Sequence, residues 1–389
     1  MDNIIYLDNA STTYVDPRVK IEIDKYFCDE YGNPGSSHEV GRKAKNALEN
    51  SRETIARIIN SSPQEIIFTS GGTESINLAL QGVAKALKSK GKHIVTTKLE
   101  HPAVLETCKF LESEGFEISF VAPEKNGVID PEKIKQVFRA DTILVSVMYA
   151  NNEIGTIQPI ATIGKICREK NIYFHTDACQ AGGSLPINVN NLNVDLLTLN
   201  SSKFYGPKGC GILFVRKGTQ IEPLIYGGGQ EQKLRSGTEN IPSIIGFAKA
   251  LEIAELERKD EFKRLKILRD KLIEGLLKIP GSSLNGDALQ RLPNNVSIRF
   301  NGVEAEAVLS NLDMLRVCAS TGSTCSTKKL EPSYVLTAIG LSPQECNSTI
   351  RFTLGRKTTN EEIDKVINVM PEIIGRLRNA ESLLTLKRN

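Results

Sequence analysis

The sequence lacks the features that mark membrane, secreted and nucleic-acid-binding proteins. No apolar run approaches the roughly 20 residues that a membrane helix needs. Residues 1–8 contain neither a basic region nor a long apolar region, so we expect no signal peptide. The 49 basic and 46 acidic residues leave a net charge of +3, which gives no electrostatic signature of nucleic acid or membrane binding. We therefore expect no direct partner of either kind.

Paired cysteine motifs are missing as well. The eight cysteines form no Cys-x-x-Cys pair, and none stands at zinc-finger spacing from a histidine, which argues against a metal site. Without a secretion signal, the expected state is reduced thiols in the cytoplasm. We predict that most of these cysteines pack as small buried hydrophobic side chains.

The composition that is present is that of an ordinary globular protein, with 389 residues, 40% of them hydrophobic and 24% charged. This length suggests about two or three domain-sized units. Short apolar strands alternate with amphipathic helices, which predicts an α/β fold with a mostly parallel central sheet flanked by helices. The predicted strands of this sheet cover residues 65–69, 93–97, 142–148, 172–176, 196–199 and 211–215.

Two helical patterns stand out. Ser36-x-x-Glu39 resembles a capping box at the start of the first helix. The second pattern runs from about residue 243 to 279 with few breakers, and predicts two helices or one helix that joins two domains. Beyond it we predict a smaller α/β unit, with strands at residues 295–300 and 348–353 and helices near 304–312 and 360–378.

A lysine and an aspartate follow two of the predicted strands. Lys203 stands between the strand 196–199 and a Gly-Pro turn, whereas Asp177 follows the strand 172–176, with Gln180 nearby. Pyridoxal phosphate (PLP) requires a lysine that forms a Schiff base and an acid that holds the pyridinium nitrogen. A buried carboxylate is costly unless it is paired, and a pyridinium N–H would pair Asp177. Because ligands of open α/β sheets bind at the carboxyl ends of strands, we predict a PLP site there.

Three further motifs each allow two interpretations. Residues 70–75, Ser-Gly-Gly-Thr-Glu-Ser, precede a helical stretch and are suited to cradle a phosphate or to form a plain N-cap turn. His101, after the strand 93–97, could stack on a flat cofactor ring and shuttle protons, or could be structural. Asn151 and Asn152 could hold a substrate carboxylate or form an Asx turn.

Cys325 and Arg351 are ambiguous in the same way. Cys325 lies in the Ser/Thr/Gly-rich segment 319–327, whose composition suggests an exposed loop, and an exposed thiol is either reactive or incidental. Arg351 lies on the predicted strand 348–353 and is suited to a bidentate clamp on a carboxylate or to an ordinary surface ion pair.

In this order, the motifs resemble those of the NifS/IscS-type cysteine desulfurases, which belong to the aspartate-aminotransferase-like fold of class V PLP enzymes. The resemblance covers essentially the full chain, and its motifs are specific when taken together. They occupy residues 6–13, 32–36, 69–75, 151–155, 227–231, 235–240 and 330–334.

The resemblance implies an enzyme that converts L-cysteine to L-alanine with PLP. By similarity, Lys203 is the PLP lysine, and His101 stacks on the ring and takes part in catalysis. Asp177 pairs with the pyridine nitrogen and Gln180 with the ring oxygen. Cys325 is the catalytic nucleophile that holds the sulfur as a persulfide.

The resemblance also implies a phosphate site. Gly72, Thr73 and the neighbouring backbone would hold the phosphate together with Thr238, which in the family comes from the partner subunit and implies a homodimer. The family usually has Ser-x-His immediately before the lysine, whereas this sequence has Asn200 and Ser202 there. Both can still donate hydrogen bonds to phosphate.

The substrate site and the partners follow from the same resemblance. Asn152 and Arg351 would hold the substrate carboxylate. The Cys325 segment resembles the longer loop of the IscS-like branch, whose members pass sulfur to an acceptor such as an iron-sulfur scaffold or a carrier for tRNA thiolation. The expected domains are a large PLP-binding domain and a small domain with the Cys325 loop, at residues 16–258 and at residues 1–15 with 259–389.

Two alternatives stay open. The same fold serves selenocysteine lyases, kynureninases and small-substrate aminotransferases, which do not all need a loop thiol. An alternative of another class is a catalytically weak module that docks partner proteins. The changes at Asn200 and Ser202 allow that alternative, whereas intact Lys203, Asp177 and Cys325 argue against it.

Overall fold

The protein is described by a computed structural model that covers residues 4–322 and 332–386. Its helices α1 to α11 are Pro17–Cys28, Glu39–Ile59, Gly72–Leu87, Pro102–Ser113, Pro131–Gln136, Ile160–Glu169, Ile241–Leu277, Ala305–Met314, Tyr334–Ala338, Pro343–Asn347 and Asn360–Leu386. Its strands β1 to β12 are Ile5–Tyr6, Ile66–Thr69, His93–Thr97, Glu117–Val121, Thr142–Ser146, Tyr173–Asp177, Leu196–Asn200, Gly211–Val215, Ser282–Leu284, Asn295–Phe300, Val317–Cys318 and Thr349–Thr353. Within the described residues, no helix combines the length and apolarity needed to cross a membrane.

A seven-stranded sheet in the order β2-β8-β7-β6-β5-β3-β4 forms the larger part of the fold. The pairs from β7 to β4 are parallel, whereas β8 runs antiparallel to both of its neighbours. Both faces are buried: Ile94 and Val95 belong to different apolar clusters because successive side chains of a strand point to opposite faces. The predicted α/β fold with a mostly parallel sheet is confirmed, and all six predicted strands are present.

A smaller unit contains the rest of the strands. β12, β10 and β9 form an antiparallel sheet, and β1 pairs in parallel with β11. Helices α8 and α11 pack with these strands around a separate apolar cluster, which includes Ile5, Leu7, Phe300 and Phe352. The predicted strands 295–300 and 348–353 are confirmed, and so are the two helices of this unit.

Helix α7 connects the two apolar clusters. It is one continuous helix of 37 residues, which decides between the two forms predicted for this stretch. Ile244 and Phe247 from its first half belong to the core of the large sheet, whereas Leu268 and Leu272 from its second half belong to the smaller cluster. The predicted domain boundary after residue 258 falls inside this helix, and the division into 16–258 and 1–15 with 259–389 stays a prediction.

The start of α2 differs from the prediction. His38 rather than Ser36 is the N-cap, and its Nδ1 atom accepts a hydrogen bond from the Gly41 backbone N–H at 3.2 Å. Ser36 instead closes a turn, in which its N–H donates to the Asn33 carbonyl at 3.0 Å. Glu39 therefore begins the helix, one position from its cap, and cannot complete a capping box with Ser36.

A buried ion pair holds the segment after residue 227 against the large sheet. The Arg52 guanidinium donates to both carboxylate oxygens of Glu231, at 2.6 and 2.9 Å, and also to the Ile66 carbonyl at 2.6 Å. Glu231 in turn accepts from the Phe68 N–H at 2.7 Å. Glu231 has a φ of +46°, so these hydrogen bonds hold a residue in the left-handed region that non-glycine residues rarely adopt.

We expect Glu231→Gln to lower the free energy of unfolding by about 3 kcal/mol, because it removes the buried counter-ion of Arg52 and leaves only the more exposed Glu49 paired with it. Urea unfolding of the purified protein measures the change. The matched control is Lys43→Gln, which breaks an exposed i,i+4 pair with Glu39 and is expected to cost no more than about 0.5 kcal/mol. Equal effects of the two substitutions would contradict a special contribution from the buried pair.

Candidate active site

A cavity of about 550 Å³ lies where the carboxyl ends of the parallel strands meet residues of the smaller unit. Of the predicted site residues, Ser202 and Thr238 do not line it, and Cys325 lies outside the described residues. The cavity brings together the remaining nine: Gly72, Thr73, His101, Asn152, Asp177, Gln180, Asn200, Lys203 and Arg351.

Lys203 lies at the end of a short 3-10 turn, Ser201–Lys203, that follows β7. Its Nζ atom donates hydrogen bonds to the carbonyls of Ala10 and Ser11, at 2.9 and 2.6 Å. Burial lowers the pKa of Lys203, because it disfavours the charged ammonium form. A lysine with a lowered pKa is more often in the neutral form that attacks a carbonyl carbon.

The segment that follows β1 holds the lysine turn in place. The Thr13 N–H donates to the Ser202 carbonyl at 2.9 Å, and the Tyr205 N–H donates to Thr13 Oγ1 at 2.9 Å. Tyr205 has a φ of +67° in the left-handed region. The strained backbone after Lys203 is therefore stabilised by contacts with residues almost two hundred positions earlier in the chain.

Asp177 and Gln180 lie at the end of β6 on the same cavity wall. Asp177 is buried, and its Oδ1 atom accepts from the Cys179 N–H at 2.9 Å. Gln180 donates from Nε2 to the Ala10 carbonyl at 3.0 Å, so it shares an acceptor with Lys203. A buried carboxylate can accept further hydrogen bonds, and a protonated pyridine nitrogen would supply one of them.

His101 has a structural role and also faces the cavity, so both interpretations of its position apply. It is the N-cap of α4, where Nδ1 accepts from the Ala103 N–H at 3.1 Å, and its ring also lines the cavity. Burial lowers the pKa of His101 and favours the neutral ring. Because Nδ1 is the acceptor, the proton of the neutral ring resides on Nε2.

The glycine turn at the start of α3 forms a cradle. Gly71, with a φ of +151°, is the N-cap, and the first turn of a helix leaves backbone N–H groups without intrahelical acceptors. A Cβ atom built on Gly72 would lie 3.0 Å from Cys179 Sγ and 3.6 Å from the Asn200 Cβ, so only glycine keeps this space open. The cradle fits a phosphate group, which helix N-termini favour.

The two residues that replace the family's Ser-x-His have different positions. Asn200 lines the cavity beside Gly72. Ser202 does not line it, and its hydroxyl instead donates to Asn200 Oδ1 at 3.3 Å. This arrangement supports Asn200 as a direct donor to a phosphate, and Ser202 as the residue that orients the Asn200 amide.

Arg351 is buried rather than at the surface, which excludes the ordinary surface ion pair. Its Nη2 atom donates to Asp8 Oδ1 at 2.7 Å and to Ser11 Oγ at 2.8 Å, and Nη1 donates to the Asn152 carbonyl at 3.2 Å. Its Nε atom is buried and has no hydrogen-bond partner among the described residues. An unpartnered buried donor is costly, and a bound carboxylate would satisfy it.

Asn151 and Asn152 have different roles, one in an Asx turn and the other at the cavity. Asn151 forms the Asx turn, since its Oδ1 atom accepts from the N–H groups of Glu153 and Ile154 at 2.8 and 3.0 Å. Asn152 lines the cavity, next to Arg351. Asn152 is therefore the asparagine placed to meet a substrate.

Comparison with known proteins agrees with this site. Residues 5–366 match the family "Aminotransferase class-V". The chain belongs to this family. It is 49% identical to "Cysteine desulfurase IscS" of Methanosarcina thermophila over 379 residues, 97% of this chain and 94% of that protein. It is 50% identical to the protein of the same name from Dictyoglomus turgidum, over 97% of this chain and 96% of that protein.

Solved structures with the same fold include a NifS-like protein. A "NIFS-LIKE PROTEIN" superposes with a TM-score of 0.91 and 39% identity, over 96% of this chain and 100% of that chain. "SspA in complex with cysteine" superposes with a TM-score of 0.80 and 36% identity, over 90% of this chain and 98% of that chain. The resemblance to NifS/IscS-type proteins is confirmed, and the family is one of PLP enzymes.

The buried cysteines of this class-V protein are poor nucleophiles at neutral pH, because burial raises the pKa of their thiols. Cys108, Cys167, Cys179, Cys210 and Cys346 are buried, as predicted for most of the cysteines. Cys179 lines the cavity, but burial raises the pKa of its thiol well above the usual value.

Glu100 supports the site from behind the cavity wall, and the sequence did not point to it. It is fully buried, and its Oε1 atom accepts from Thr97 Oγ1 at 2.7 Å and from the Met148 N–H at 3.0 Å. Burial raises the pKa of Glu100 to about 8, so its carboxyl is mostly neutral at pH 7. These hydrogen bonds position the turn that carries His101. The sequence feature that could have identified Glu100 is its position next to His101, shortly after a buried strand.

Proposed function

We infer that the chain is a PLP-dependent L-cysteine desulfurase, which converts L-cysteine to L-alanine. The observation that carries this inference is that one cavity combines a lysine of lowered pKa, a buried aspartate, a glycine cradle and a buried arginine, one donor of which has no partner among the described residues. The relatives named as cysteine desulfurases are matched over nearly their full length, which supports the same activity.

The cavity residues fit PLP, and we assign its contacts as follows. Asp177 would accept from the pyridine nitrogen, Gln180 would contact the ring oxygen and His101 would stack on the ring. Lys203 would hold the cofactor covalently. The cradle for the phosphate would consist of Gly72, Thr73, Asn200 and the helix N-terminus, with Ser202 acting through Asn200. PLP, when bound, withdraws electrons from the substrate and so weakens bonds at its amino-bearing carbon.

The substrate carboxylate would bind at Arg351. Arg351 lines the cavity, and Asn152 can add a hydrogen bond from its amide. This orientation would place the amino-bearing carbon toward Lys203. The Lys203 amine, whose pKa is lowered, would then take the proton from that carbon and return it. His101, which carries its proton on Nε2, is the second group that can exchange protons in the cavity.

The sulfur step is assigned to Cys325. Its thiolate would form a bond to the substrate sulfur while the bond between that sulfur and the substrate Cβ breaks. The electron pair of the broken bond stays on the carbon, which takes up a proton to become the methyl group of alanine. Cys325 is left as a persulfide, and a thiol reductant or an acceptor protein removes the terminal sulfur.

We also propose the partners and the location that the sequence led us to expect. Sulfur would pass to an acceptor such as an iron-sulfur scaffold or a carrier for tRNA thiolation. The resemblance implies a homodimer in which Thr238 serves the site of the partner subunit, and Thr238 is exposed and does not line the cavity of its own chain, as that arrangement requires. A cytoplasmic location fits a thiolate nucleophile, since the cytoplasm keeps thiols reduced.

The function is tested with the purified protein, saturating PLP and a thiol reductant. L-cysteine is expected to give equal amounts of alanine and sulfide. Selenocysteine, and alanine with a keto acid, are assayed in parallel to separate a selenocysteine lyase and an aminotransferase from the desulfurase. A protein that carries PLP but makes no alanine from cysteine would overturn the assignment.

We expect Arg351→Lys to raise KM for cysteine about tenfold, because lysine keeps the charge beside Asp8 but loses the planar Nε donor. The PLP content is expected to stay unchanged. Arg299→Lys is the matched control, since Arg299 lies on the neighbouring strand β10 and faces Glu345 rather than the cavity. Steady-state kinetics measure both variants, and an unchanged KM for Arg351→Lys would place the carboxylate elsewhere.

A further inference from the structure

A buried glutamate on the cavity wall has no part in the chemistry assigned above. Glu153 is 4% exposed and lies directly after Asn152, on the turn that Asn151 closes. Burial raises the pKa of Glu153, whereas a hydrogen bond from Ser333 and the charge of Arg351 oppose this shift. A buried carboxyl is costly unless its contacts compensate, so these contacts indicate what the residue does.

The Glu153 carboxyl contacts both ends of the segment that contains Cys325. The Ser333 hydroxyl donates to Glu153 Oε2 at 2.6 Å, and this pair is buried. On the other side, a Cβ atom built on Gly322 would lie 3.2 Å from the same oxygen, so Gly322 packs against the carboxyl. Gly322 is the last described residue before this segment, and Ser333 is the second described residue after it, so one side chain contacts the chain on both sides of the segment.

Two further contacts make the arrangement specific. Gly322 has a φ of +92°, in the region that favours glycine, and its carbonyl accepts from Arg351 Nη1 at 3.4 Å. Ser333 is also the N-cap of α9, where its Oγ atom accepts from the Leu336 N–H at 3.2 Å. The Ser333 hydroxyl therefore accepts from the helix and donates to Glu153, which uses both of its hydrogen-bonding functions.

We propose that Glu153 is a positioning residue that holds Gly322 and Ser333 together and so sets where the Cys325 segment begins and ends relative to the cavity. The proposal rests on the assignment of Cys325 as the nucleophile. In this role, the Glu153 carboxyl group connects the substrate-binding turn at Asn152 to the residues that flank the Cys325 segment. Glu153 itself exchanges no atom with the substrate.

Ser333→Ala tests the proposal, because it removes the donor to Glu153 without touching the PLP contacts. The first readout is the single-turnover rate of persulfide formation on Cys325, followed by mass spectrometry in the PLP-loaded protein. The second needs no activity: it is the rate of tryptic cleavage after Lys328 and Lys329, relative to other sites. Both rates are expected to change about tenfold, with slower persulfide formation and faster cleavage, which is the size of effect expected when a hydrogen bond to a buried carboxyl group is lost.

The controls separate positioning from helix capping. Ser333→Thr keeps both hydrogen bonds and is expected to restore wild-type values. Ser342→Ala removes the N-cap of α10, an equivalent cap that has no contact with Glu153, and is expected to change neither readout. Glu153→Gln, which keeps the shape of the side chain but removes its charge, is expected to shift both readouts in the same direction by a smaller factor.

The outcomes are distinct. If either readout is unchanged in Ser333→Ala, or if Ser342→Ala has the same effect, the positioning role is wrong. A slower persulfide step that merely follows a loss of PLP also overturns it. If the wild-type protein forms no persulfide on Cys325, the proposed function fails, and the tryptic comparison then decides the role of Glu153 by itself.

Discussion

Lys203→Ala is expected to abolish the covalent link between the protein and PLP and to reduce alanine formation by at least about 10²-fold, the lower range of what a positioned acid–base group contributes. Among the described residues, Lys203 is the lysine that lines the cavity; its amine donates to two carbonyls, and burial lowers its pKa. Borohydride reduction followed by peptide mass mapping measures the link. Cofactor retained without a link is consistent with this result, because Asp177 and the cradle remain.

Lys208→Ala is the matched control for this prediction. Lys208 lies in the same Gly-Pro turn, and its Nζ atom contacts the Thr13 carbonyl at 3.5 Å, but it does not line the cavity. Its removal is expected to leave the borohydride-reducible link on Lys203. A Lys203→Ala protein that still forms a reducible link would move the assignment to another lysine, and Lys208 would be the first to test.

Cys325→Ala is expected to eliminate alanine and sulfide formation while PLP stays bound. The physical reason is that the two tasks fall to different segments: the residues assigned to PLP lie at the strand ends and at the start of α3, whereas Cys325 belongs to the segment between β11 and α9. Adding cysteine should still change the visible spectrum of the bound cofactor, since Arg351 and Asn152 remain. Mass spectrometry of the wild type after a cysteine pulse should find one additional sulfur on Cys325.

Cys318→Ala is the comparison for the sulfur step. Cys318 lies on β11 outside the cavity, and burial raises the pKa of its thiol, so its loss should leave activity near the wild-type value. The buried Cys179 thiol is also held in the protonated form. Additional sulfur on Cys318 or Cys179, instead of Cys325, would show that the nucleophile is wrongly assigned.

The large sheet was predictable because its strands are apolar on both faces. β3 and β5 are buried along their whole length, and each has consecutive apolar residues at its centre, Ile94-Val95 and Ile143-Leu144-Val145, that are visible in the sequence. β4 was not predicted. It is the edge strand beyond β3, and its residues from Glu117 to Val121 are mostly half-exposed, so polar residues interrupt the apolar pattern.

The candidate site was predictable where chemistry and strand ends coincide. Asp177 and Lys203 follow strands whose carboxyl ends lie side by side, since β6 pairs in parallel with β7. The partners of these residues were not predictable from local sequence. Lys203 is held by Ala10 and Ser11, which are more than 190 positions away, and only the path of the chain from β1 across the lysine turn brings them together.

The sequence by itself determined the α/β class, the six core strands, the PLP chemistry expected of Lys203 and Asp177, and the family. These are properties of local pattern and of residue type. Only the tertiary structure decided that Arg351 is buried with an unpartnered Nε atom and that Glu153 joins Gly322 to Ser333. Burial and long-range hydrogen bonds depend on which distant segments of the chain pack together. Local residue patterns predict secondary structure but not these contacts.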